Sequence, residues 1–163
     1  MINYRSLIFW IFIIWLSLSF QFYFLSSFRA YFSFDLILLI LIFFGLRFGF
    51  IFALPLSIIL GYINDLVGGE SHFIHLLSFF LIFLFGAILE KFLENQYLGT
   101  KFISGQILIL SYTLVFNVIN FLFHQPLYYG LIISKWLINA IVFSLIFSLI
   151  YFLKNASLSR QKR

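Results

Sequence analysis

Long apolar blocks, separated by short polar breaks, fill the chain, and the block over 34–69 organises the others. Two apolar runs meet there at Gly45-Leu46-Arg47-Phe48-Gly49. An arginine caught between two lipid-soluble segments has to reach a membrane surface, so the stretch predicts a helical hairpin with Arg47 at its tip. The far end carries Asp35 on one limb and Asn64 and Asp65 on the other. Opposed charge at the two ends orients the hairpin in a bilayer.

The remaining blocks complete a six-helix pattern over about 7–25, 30–46, 48–67, 71–93, 102–123 and 130–153, with a basic tail over 154–163. The first block follows Arg5 and could be a cleaved signal peptide. Its length, its many aromatics and the lack of a small-residue exit favour an uncleaved spanning helix. The second block is shorter than the roughly 20 residues a spanning helix needs. Either Asp35 is drawn into the headgroup zone, or the short helix thins the bilayer around it. Pro55 lies inside the third block and could kink it.

Charge supports six segments over five. With a cytoplasmic N-terminus, Arg5, Arg47, Lys91, Lys101, Lys154, Arg160, Lys162 and Arg163 fall on the inner side, and Arg29 and Lys135 on the outer. Basic residues gather on cytoplasmic ends, so this asymmetry predicts both termini inside. Fusing the second and third blocks would send the basic tail outside. Composition narrows the class further. The chain is 64% hydrophobic and 9% charged, whereas a soluble domain carries about 25% charged residues. A single polytopic membrane domain, 1–163, is the class that fits. The net charge of +5 sits at segment ends, where topology explains it, so no nucleic-acid partner is implied. With no cysteine, disulfides, thiolate metal sites and cysteine nucleophiles are excluded.

Few residues invite chemistry. Gln106, Thr113, Asn117, Asn120 and His124 lie on one stripe of the fifth helix, read either as interhelical glue or as a pocket wall, with glue favoured. In the third helix Ser57, Gly61 and Asn64 form a small-residue face, followed by Asp65 and Gly68, and Asn139 of the sixth helix could meet it. Asp65 reads as a solvated outer helix end, or as a partner of Lys135 or Arg29. Asp35 and Asp65 suggest an aspartyl protease, but their surroundings do not resemble such sites. No Gly-x-Ser-Gly occurs for rhomboid-type chemistry. Glu70, His72 and His75 make a weak metal set; a helix start capped by Ser71 is the simpler reading. No catalytic residue, cofactor or metal is therefore expected.

The best-matched stretch resembles a known family. Asp35-Leu36-Ile37-Leu38-Leu39, the turn Gly45–Gly49, Gly61, Asp65-Leu66, Gly68-Gly69 and Lys135-Trp136-Leu137-Ile138-Asn139-Ala140 are similar to the rod shape-determining protein MreD family. The sequence departs from that pattern at Glu70-Ser71-His72-Phe73-Ile74-His75. The resemblance implies a non-catalytic inner-membrane scaffold of the cell-elongation complex, with MreC, MreB and the wall synthases as partners. It also implies a six-helix fold like that of the substrate-binding subunits of energy-coupling-factor transporters. The competing expectation is a vitamin-binding subunit of such an importer, its pocket lined by Asn117, Asn120, His124, Asn139 and Asp35. The candidate packing or partner-contact residues are Asp35, Arg47, Gly61, Asn64, Asp65, Gly68, Asn117, Asn120 and Asn139.

Overall fold

A computed structural model describes residues 4–25, 35–68, 73–92, 97–123 and 129–161. Among them every element is helical and there is no sheet. The order is α1 (Tyr4–Phe20, continued by a π-helical turn over Gln21–Leu25), α2 (Leu36–Phe48), α3 (Phe50–Gly68), α4 (Ile74–Phe92), α5 (Leu98–Leu122) and α6 (Tyr129–Gln161). Four apolar stretches are long enough to cross a membrane: Phe50–Val67, Ile74–Phe92, Leu98–Leu122 and Ile133–Phe152. The chain is thus a multi-pass membrane protein with four candidate spans by length and composition.

The hub is the helix that is too short to span. Ile37, Leu38, Leu39, Leu41, Ile42, Gly45 and Leu46 of α2 are all buried. Phe50, Phe79, Phe83, Leu108, Tyr112 and Phe143 from α3 to α6 close around them. Between helices in lipid there is little hydrophobic driving force, so close packing has to hold the bundle. Here phenylalanine rings fill the spaces that glycines leave. A Cβ on Gly45 or Gly86 would stand 2.5 or 2.8 Å from the Phe50 ring, and one on Gly105 would collide with Phe143. The Phe-rich composition thus works partly as ring-into-glycine packing that joins α2, α3 and α4, and α5 to α6.

Side-chain contacts give the direction of each helix. Asp65 meets the start of α4 while Glu90 meets the start of α3, so these two run antiparallel. Tyr112 meets Asp35 while Lys101 meets Leu46, so α5 is antiparallel to α2. Gln106 reaches Ala140 and Ser144, and Lys135 lies over Phe116, which makes α6 antiparallel to α5. Over its window α6 is only 11% buried, against 39% for each of the other three candidate spans, so it is the peripheral member.

Several boundaries differ from those the sequence suggests. Asp35 is the N-cap of α2, which therefore starts at Leu36; residues 26–34 lie outside the described set. The hairpin turn is tighter than the five-residue Gly45–Gly49 segment suggests. Only Gly49 separates α2 from α3, at φ 100 and ψ 142, a backbone region that side chains with a Cβ avoid. Its N–H closes back onto the Gly45 carbonyl at 2.7 Å. Helix α3 continues through Pro55. Most of the expected basic tail is not a separate segment, because α6 continues as a helix through Gln161.

Candidate functional site

A helix inside lipid must find protein partners for the polar groups its ends leave open. Thirteen residues make a rod of about 20 Å, which cannot put both ends beyond a hydrocarbon core of about 30 Å. Helix-end contacts of this kind form two layers at opposite ends of the bundle, and among the buried polar side chains Asp35, Asp65 and Asn139 take part in them.

The first layer surrounds the N-terminus of α2. Asp35 Oδ1 accepts the Leu38 N–H at 3.0 Å, and Gln21 of the π-helical turn accepts the Ile37 N–H at 3.0 Å. The Asp35 N–H donates to Asn139 Oδ1 of α6 at 3.1 Å. Tyr112 of α5 donates its hydroxyl to Asp35 Oδ2 at 2.8 Å. Four helical segments therefore converge on Asp35 and the first turn of α2. Asp35 is 3% exposed and Asn139 is fully buried.

Beside it, Asp65 at the end of α3 caps α4. Its Oδ1 accepts the His75 N–H and its Oδ2 the Leu76 N–H, both at 2.9 Å. The positive end of a helix favours such an anion. His75 Nδ1 lies 2.9 Å from the same Oδ1; a carboxylate only accepts, so Nδ1 carries the hydrogen. The α3 and α4 backbones come close enough for this because of Gly61, where a Cβ would be 2.6 Å from Leu76 Cα. Phe73, just ahead of α4, takes φ 49 and stacks on Tyr62 at 6.0 Å.

Aromatic faces join the two carboxylate centres. The His75 ring lies 5.1 Å from Phe116, and the Lys135 ammonium lies 3.8 Å from the Phe116 centroid and 5.5 Å from that of Tyr112. Cation–π contact of this kind is favourable where the cation is withdrawn from water. The path from Asp65 through His75, Phe116, Lys135 and Tyr112 to Asp35 crosses α3, α4, α5, α6 and α2.

The second layer lies at the hairpin tip. Glu90 of α4 accepts the Phe50 N–H, capping α3, at 3.0 Å. Lys101 of α5 donates to the Leu46 carbonyl at the end of α2, at 3.1 Å. Arg47, in the last turn of α2, is exposed.

Several sequence-based assignments change. Asp65 is not a solvated helix end: it is 1% exposed, and its ionisable neighbour among the described residues is His75 rather than Lys135. Asn139 contacts Asp35 rather than the small-residue face of α3. That face meets α4, and Asn64 is buried there with no hydrogen-bond partner for its Nδ2 among the described residues. Gly68 is the last residue of α3. The polar stripe of α5 divides: Gln106 bonds across to α6, whereas Thr113, Asn117 and Asn120 donate to carbonyls one turn back on their own helix. Among the described residues the two asparagines donate within α5 rather than across to another helix. Asp35 and Asn139, assigned to an importer pocket, bond to one another instead. His124, Glu70, Ser71, His72 and Arg29 lie outside the described residues. His75, the remaining member of the suggested metal set, is turned to Asp65, and the cap of α4 comes from α3.

Gln21, Glu90 and Tyr112 are helix-end partners that the sequence alone does not single out, and Lys101 stands out there only as a basic residue of the inner side. Gln21 is visible there as a lone amide in an apolar run. Nothing in the sequence sets Tyr112 apart from the other aromatics. No protein-family model, curated protein or solved structure matches this chain.

Proposed function

We propose that this protein is a non-catalytic scaffold of the bacterial inner membrane, of the rod shape-determining MreD kind, that supports lateral wall growth by holding partner proteins. The observation that carries the reading is where the family-like residues lie. Asp35, the Gly45–Gly49 turn, Gly61 and Asp65 build the central hairpin and the α3–α4 corner. A resemblance concentrated on the residues that define a fold is a resemblance in architecture. The acidic side chains Asp35, Asp65 and Glu90 all serve as caps on helix ends. In this reading they fix the shape that partners recognise.

The proposed topology has six membrane-inserted helices with both termini in the cytoplasm. Alternating helix directions are consistent with it, since they bring the first turn of α1 and the last turn of α6 to the hairpin-tip end. Of the basic residues within the described helices, Arg5, Arg47, Lys91, Lys101, Lys154 and Arg160 fall towards that end and Lys135 towards the other, the asymmetry that cytoplasmic ends show. The proposed fold relatives remain the substrate-binding subunits of energy-coupling-factor transporters.

Affinity purification from the native cell, with mass spectrometry of what comes along, tests the proposal. Recovery of MreC, MreB or wall synthases, with loss of rod shape on depletion, supports it. Recovery of a transporter ATPase pair, or a small molecule bound stoichiometrically, overturns it in favour of the importer subunit.

A further inference from the structure

We infer that the hairpin tip is a binding site for the headgroup of an anionic phospholipid, with Arg47 and Lys91 gripping the phosphate and Lys101 behind them. This rests on the membrane reading alone and is independent of which proteins the scaffold holds.

The three cations gather around one turn. Lys101 Nζ donates to the carbonyl of Leu46, the residue before Arg47, at 3.1 Å. Glu90, the residue before Lys91, accepts the Phe50 N–H at 3.0 Å. A Cβ on Gly49 would lie 3.5 Å from the other Glu90 oxygen, so the end of α4 rests against the turn itself. The ends of α2 and α4 and the starts of α3 and α5 therefore meet at one corner. Arg47 and Lys91 are exposed there, and neither forms an ion pair among the described residues. Lys101 is half-buried, and its ammonium has donors to spare after the Leu46 bond.

The acids nearby do not cancel this charge. The Glu90 carboxylate is committed to the positive end of α3. The 93–96 connection adds Glu94, and Arg47, Lys91 and Lys101 still outnumber the two acids. Basic pockets between helix ends suit anionic headgroups, and an arginine fork matches the oxygens of a phosphate. Apolar surface adjoins the same corner. Ile51 and Phe52 open α3 at 66% and 64% exposure, and Phe92 closes α4 at 80%. A free phosphate would use the cations alone, whereas a phospholipid uses the cations and the apolar surface together. Cations also stabilise the negative end of a helix, and Arg47 and Lys91 each lie in a last turn. That role needs no lipid, which makes the two separable.

The test titrates the detergent-purified full chain with phosphatidylglycerol and, separately, with phosphatidylcholine of the same acyl chains, and counts bound lipid by native mass spectrometry. Preferential retention of phosphatidylglycerol is expected. Arg47→Gln and Lys91→Gln should each weaken it about fivefold, and together about thirtyfold, the share of two surface cations in attraction to an anionic lipid. Lys154→Gln with Arg160→Gln, further along α6, should leave it within about twofold. Equal retention of the two lipids, an unchanged preference in the Arg47/Lys91 double variant, or an equal loss from the α6 variant overturns the inference. Displacement of the lipid by glycerol phosphate at matched concentration overturns it in favour of a free-phosphate site. Without added lipid, the unfolding midpoints of Arg47→Gln and Lys91→Gln should match wild type. A fall there with the lipid preference intact assigns both cations to helix ends and overturns the lipid site.

Discussion

Asp65 shows how much one side chain can hold inside the bundle. It accepts two α4 backbone N–H groups and the His75 ring N–H while only 1% exposed. Asp65→Leu removes the acceptor for all three and should destabilise the protein by roughly 3–5 kcal/mol, the range for breaking a buried charged contact. Asp65→Asn keeps one acceptor oxygen and should lose about 1–3 kcal/mol. Thermal unfolding in detergent separates these outcomes; a leucine variant as stable as wild type would remove the capping role. Tyr112→Phe deletes only the hydroxyl that donates to Asp35 at 2.8 Å. It should cost about 1.5–3 kcal/mol, as expected for a hydrogen bond to a charged group. A double-mutant cycle with Asp35→Asn should show coupling between the two sites. Strict additivity would mean that the hydroxyl and the carboxylate do not act as a pair.

Among the elements, the α3–α4 pair and the α2–α3 turn depend on glycine for different reasons. At Gly61 the limit is space. A Cβ there would meet the Leu76 backbone at 2.6 Å, which cannot rotate away as a side-chain tip could. Gly61→Ala should therefore force the helices apart and cost about 1–3 kcal/mol. Gly99, in the first turn of α5, faces open space, and a Cβ added there would meet nothing within 4 Å. Gly99→Ala should be neutral or stabilising by up to about 1 kcal/mol through helix propensity. Comparing the two unfolding midpoints checks the packing directly, and equal effects would contradict it. At Gly49 the limit is the backbone itself, at φ 100. Gly49→Ala imposes strain of about 1–3 kcal/mol at the one-residue turn. Proteolysis or cysteine accessibility at Arg47 should report the loosened hairpin tip.

For the whole molecule, side chains from neighbouring helices cap helix ends at both ends of the bundle. Loss of either layer should therefore be felt across several helices at once. The proposed topology carries a direct prediction. Reporter fusions after Met1 and after Arg163 should both read as cytoplasmic, whereas a fusion in the 69–72 connection should read as external. A periplasmic C-terminal reporter would exclude six membrane-inserted helices. Under the scaffold proposal, Asp65→Leu should also lower protein level and reduce recovery with MreC. Wild-type abundance, recovery and cell shape in that variant would separate the α3–α4 corner from partner binding.

The sequence by itself determined the class, the number of helices and the position of the hairpin. Each depends on local facts: apolar run length, an arginine between two such runs, and glycines at the turn. It also marked Asp35, Asp65 and Gly61, because acids and small residues stand out against a lipid-soluble background. Only the tertiary structure decided what those residues do. A cap taken from another helix links positions such as Gln21 and Ile37, Glu90 and Phe50, or Lys101 and Leu46, and no periodicity along one helix encodes such a link. The same holds for Tyr112, one aromatic among many until α2 places a carboxylate beside its hydroxyl, and for Asn117 and Asn120, whose amides turn to their own backbone. The physical reason is that helix ends in hydrocarbon must be satisfied by whatever side chain the packing brings within about 3 Å, and packing is a property of the assembled bundle.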